Sequence, residues 1–105
     1  MNQFTTQTHR PYMIIGAGDL VSHVHRVDGA NNDDSYRFNL FRSEEGGVVN
    51  QSFRPSDLRN FIKACQVLAS EIAADGWLSG ELREELIQLA TELDEITFSW
   101  STENG

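Results

Sequence analysis

The chain lacks most of the features that would announce a function. Its one cysteine excludes an internal disulfide framework. No stretch of about 18 apolar residues occurs, so no segment reads as a transmembrane helix. The start, Met1-Asn2-Gln3-Phe4-Thr5-Thr6, lacks the basic-then-apolar order of a secretory leader. Positive charge is scarce: 8 Lys and Arg stand against 16 Asp and Glu, a formal net charge of -8. A long-range field of that sign repels nucleic acid and anionic membranes. No internal repeat, low-complexity stretch or linker divides the chain. The expectation is one small, soluble, acidic, cytosolic domain.

What is present suffices for a core. The 105 residues are 39% hydrophobic and 23% charged, a globular composition. A chain of this size buries roughly 65% of the surface its unfolded form exposes. The charge is uneven: residues 1–54 sum to -1 and residues 55–105 to -7. All three histidines lie in the near-neutral first half.

Residues 1–10 are polar and without period, and read as a flexible arm before a single domain over residues 11–100. Tyr12-Met13-Ile14-Ile15 suits a strand, and Gly16-Ala17-Gly18-Asp19 a turn. From Leu20 to Val27 the chain alternates, with Val21, His23 and His25 on one face and Leu20, Ser22, Val24 and Arg26 on the other. Residues 28–34 form a loop of turn formers. Ser35 to Arg42 alternates again, placing Tyr36, Phe38 and Leu40 opposite Arg37, Asn39 and Phe41. Glu44-Glu45-Gly46-Gly47 has hairpin length, and Val48 to Phe53 is a fourth strand candidate.

The period then changes to that of a helix. Pro55 and Asp57 suit a helix start. Leu58, Phe61, Ile62, Cys65, Leu68, Ala69 and Ile72 form an apolar stripe, which Gly76 ends. Ser79 suits the N-cap of a second helix, whose stripe is Leu82, Leu86, Leu89, Ala90, Leu93 and Ile96. The short connection makes the helices antiparallel. Residues 97–101 suit either a longer helix or an extended tail, and residues 101–105 are taken as tail. The fold expected is α+β: a four-stranded antiparallel meander followed by an antiparallel helix pair packed on one sheet face.

Chemical motifs are few. Gly16-Ala17-Gly18 resembles the opening of a dinucleotide-binding turn, but Val21 stands where the third glycine must be. Asp75-Gly76-Trp77 resembles the back half of an EF-hand loop. With Gly76 at loop position 6, Ala73 and Leu82 occupy positions that must supply oxygen ligands, so no such loop closes. His23 and His25 share a strand face about 7 Å apart, a spacing that can seed a metal site if His9, Asp33 or Asp34 supplies a third ligand. Cys65, inside the first helical stripe, is expected buried and inert. No serine or cysteine forms a recognisable nucleophile signature with a histidine. No catalytic residue and no cofactor is assigned.

Arg26, Arg37 and Phe41 make a candidate binding set on the sheet, because arginine beside an exposed aromatic holds phosphates and bases. The order of strands then helices is similar in topology to the Whirly-type single-strand binders. Phe4, Phe41, Trp77, Phe98 and Trp100 are more large apolar groups than so short a chain hides easily, which points to a partner interface at Trp77 and Trp100. The leading expectation is a non-enzymatic interaction module forming a homodimer or higher oligomer. Single-stranded nucleic-acid binding and metal binding through His23 and His25 are the alternatives.

Overall fold

A computed structural model describes residues 12–27, 36–47, 49–75, 78 and 80–104. Strands β1 (Met13–Ala17), β2 (Leu20–Arg26), β3 (Tyr36–Ser43) and β4 (Val49–Asn50) form an antiparallel sheet in that order. Helices α1 (Leu58–Asp75) and α2 (Glu81–Asn104) follow, so the architecture is the α+β arrangement read from the sequence. No described helix is long and apolar enough to cross a membrane. Residues 1–10 and Trp77 lie outside the described residues, as does the capping position Ser79.

β1 continues through Ala17, which pairs with Leu20, so the turn shrinks to Gly18–Asp19. Gly18 has φ +61°, which glycine adopts at no steric cost. A Cβ there would also lie 2.3 Å from Asn60 Nδ2, so the Asn60 side chain would have to move to admit one. Period-two alternation then sorts the sheet. Ile15, Ala17, Leu20, Ser22, Val24 and Tyr36 are buried on the helix side. The expected strand at Val48 to Phe53 is cut to two residues. Asn50 Oδ1 accepts a hydrogen bond from the Ser52 backbone N–H (2.6 Å), which turns the chain out of the ladder. Phe53 instead packs its ring edge-on against Phe61 of α1, 4.8 Å between centroids.

A 3-10 turn at Pro55–Asp57 leads into α1. The Asp57 carboxylate accepts from the Arg54 backbone N–H at 2.8 Å, satisfying a donor that the helix start leaves open. α1 buries Ala64, Leu68, Ala69, Ile72 and Ala73, and these small residues let it settle close over β1 and β2. Leu68 and Ile72 join Ile15, Val24, Tyr36 and Leu78 in one core, edged by Met13, Val67, Leu82 and Leu86.

α2 runs antiparallel along α1 and makes its main contacts there, not on the sheet. It is held by polar contacts as well as packing: Gln66 donates to Asp94 (2.9 Å) and Thr97 donates to Gln66 (3.1 Å). Residues 97–104 are helical, so the expected tail at 101–104 is instead the last turn of α2.

Cys65 corrects the expectation made for it: it is exposed. α1 covers β1 and β2, so the flank of α1 turned toward β3 meets no second layer. The same geometry leaves Leu89 half-buried, while Leu93 is buried at 9% exposure. Ser22 sits in the core at 0% exposure, and its hydroxyl has no partner among the described residues.

Leu68→Ala is expected to cost about 2–5 kcal/mol by urea denaturation, and the half-buried Leu89 less. Glu85→Ala, at an exposed position of α2, is expected to stay within about 0.5 kcal/mol. Equal small effects would show that the helix stripes are not the core. Ser22→Ala should be neutral or stabilising, since it removes a buried hydroxyl with no partner among the described residues. A loss above about 1 kcal/mol would mean that the hydroxyl has a partner in solution.

Candidate interaction surfaces

The most connected side chain is Asp75, the last residue of α1. A carboxylate at a helix C-terminus faces the negative end of the dipole and is disfavoured there. Here its side chain is 5% exposed and is held from the sheet. Arg26 of β2 donates two hydrogen bonds, Nε to Oδ2 at 3.0 Å and Nη2 to Oδ1 at 2.7 Å. Tyr12 OH donates to Oδ1 at 2.5 Å, and Tyr36 OH donates to Oδ2. The Arg26 guanidinium also lies over the Tyr12 ring, 3.7 Å from its centroid. Nearby, Arg83 Nε donates to the Ala73 carbonyl at 2.8 Å, satisfying one acceptor at the end of α1.

These contacts set the protonation states. Hydrogen bonds from Arg26 lower Asp75 from 3.8 to about 2, with help from both tyrosines and against the opposing effect of burial. Burial, and then the hydrogen bond to Asp75, raises Tyr36; the Asp75 hydrogen bond is the main cause of the rise at Tyr12. Every shift moves its group away from neutrality, the opposite of what a general acid or base needs. The cluster acts as a strut between α1 and the sheet.

The other end of α1 carries a counterpart. Arg42 of β3 places Nε 3.7 Å from Asp57 Oδ2, with both side chains under 10% exposed. It also donates to the Ser52 carbonyl at 3.2 Å and pairs with Glu44 at 3.0 Å.

The sheet face away from the helices carries Ile14, Val21, His23, His25, Arg37, Asn39 and Phe41, and no described element covers it. Ile14 is 64% exposed. His23 and Phe41 meet edge to face, 5.0 Å between ring centroids. Of the candidate binding set, Arg37 and Phe41 share this face, whereas Arg26 lies on the opposite side, committed to Asp75. His23 and His25 do face the same way, opposite Asn39 and Arg37. Among the described residues no group of three or more His, Cys, Asp and Glu could hold a metal, and His9, Asp33 and Asp34 are not described. Trp100 is half-buried with Arg59 over its ring, 4.7 Å to the centroid.

The helix side has its own open region, a groove of about 270 Å³. Phe38 and Leu40 of β3 form its floor, Phe61 and Cys65 of α1 one wall, and Leu86 and Leu89 of α2 the other. Phe38, although on the helix side of the sheet, is 54% exposed.

No protein-family model, curated protein or solved structure matches the chain.

Asp75 has a folded pKa below its ordinary value, so its contribution to stability is full above about pH 4 and is lost as pH falls toward about 2. Urea midpoints of the wild type and Asp75→Asn across that window should converge as the pH drops. At neutral pH the variant should be less stable by about 1.5–3 kcal/mol, the range for hydrogen bonds to a charged group. Parallel curves would show that Asp75 is not the titrating strut.

Proposed function

We propose that this chain is a non-enzymatic interaction module that assembles with a second copy of itself, as a homodimer or higher oligomer, through the open sheet face. One observation carries the reading. Among the described residues the helices lie on one side of the sheet and no element covers the other, on which Ile14, Val21, His23 and Phe41 stand. Sheets bury such a face most readily against another sheet, about 10 Å away. The charge distribution favours the same arrangement. The face belongs to the half that sums to -1, while the -7 half forms helices on the other side of the sheet. Face-to-face association therefore keeps the two acidic halves at opposite outer ends, where mutual repulsion is weakest.

Light scattering at micromolar concentration should give at least twice 11.8 kDa. Ile14→Glu and Phe41→Glu should return the protein to monomer with unchanged circular dichroism, whereas Phe38→Ser, on the helix side, should leave the mass alone. A wild-type mass of 11.8 kDa would overturn self-assembly.

A further inference from the structure

At Phe38 and Leu40 the sheet is three strands wide, because β4 pairs only with Arg42 and Ser43. α1 lies over β1 and β2, so the strip over β3 beside it is left open. The chain does not place α2 there, because α2 runs along α1. The result is an apolar track whose floor includes Phe38, 54% exposed, and whose α1 wall carries Phe61 and Cys65. Leu58, 61% exposed and one turn before Phe61, extends that wall.

The rim of the track is of one sign. On α2, Glu85 and Glu92 lie one turn to either side of Leu89, on the same helix face, and both are exposed. Among the described residues neither has an ion-pair partner. The cations of the helix pair are turned elsewhere. Arg59 lies over Trp100, Lys63 shares a cleft with Asp94 on the β1 side, and Arg83 binds the Ala73 carbonyl.

We infer that this groove docks an amphipathic α-helix of another protein, its apolar face flanked by Lys or Arg. The inference rests on reading the chain as an interaction module and names a second partner for it. The open strip takes the apolar side chains of one helix lying along it, and anchors at i, i+3 or i+4, and i+7 would meet the row of Phe and Leu side chains. The rim selects the charge of the flanks. A second copy is a poor occupant: its α2 would bring another Glu85 and Glu92 against the first pair.

Cys65 is the chain's one cysteine and lines the groove, so its alkylation rate reports occupancy directly. The probes are two synthetic helical peptides with the same leucine stripe, one flanked by Lys and the other by Glu. The Lys peptide at ten times its Kd should slow alkylation about tenfold, as occupancy alone requires. The Glu peptide should not, and added salt should weaken the protection. Glu85→Lys with Glu92→Lys should exchange the preference between the peptides. Phe38→Ser should abolish protection by both, and Ile14→Glu should leave it intact. Equal protection by both peptides, or protection by neither, overturns the inference. So does protection of Cys65 by raising the protein concentration alone, which would put a second copy in the groove. In each of these cases the mass by light scattering separately decides whether the module self-assembles.

Discussion

Two arginine–aspartate pairs fix where α1 lies, and the surfaces of the molecule follow from that placement. Asp57 stands immediately before α1 and Asp75 ends it; Arg42 and Arg26 reach both from the helix side of the sheet. Both carboxylates are nearly removed from water, where breaking an ion pair leaves a charge that nothing else solvates. Each pair is reinforced by groups that bond to the charged form: Tyr12 and Tyr36 at Asp75, the Arg54 backbone N–H at Asp57. The helix is thus pinned at its two ends and packed between them through Ala64, Leu68 and Ile72.

The pinning has a consequence on each side of the sheet. A helix held over β1 and β2 cannot also shield β3, so Phe38 and Leu40 keep contact with water although they point toward the helices. α2 stabilises α1 by packing along it and through Gln66, Asp94 and Thr97, which commits it to the outer layer. The far side of the sheet has no described layer at all. The two open surfaces differ in electrostatics: one is edged by His and Arg, the other by Glu, which suits them to different partners.

Much of the fold was legible because its periodicities are strong. The alternation through Ser22, Val24, Tyr36 and Phe38 gave strands with the correct faces, and the leucine spacing gave both helices. Two things were not legible. The lateral position of α1 depends on Arg–Asp contacts between residues about 15 and 49 apart in sequence, so periodicity alone does not show that Cys65 and Phe38 are exposed. The end of β4 depends on one Asn50 side chain turning the chain, which no period records. Asp75 alone carried a readable signal, an acid just before a helix-ending glycine where the dipole disfavours it. That mismatch implies a cationic partner, but alternation by itself could only place Arg26 on the face opposite His25.

The central claim is that α1 leaves the β3 half of the helix side open to solvent. A soluble paramagnetic agent added to the dilute protein tests it by proton NMR. The Phe38 ring resonances should broaden strongly while the Val24 and Leu20 methyl groups, both 0% exposed, stay sharp. Phe38 protected to the same degree as Val24 would contradict the account.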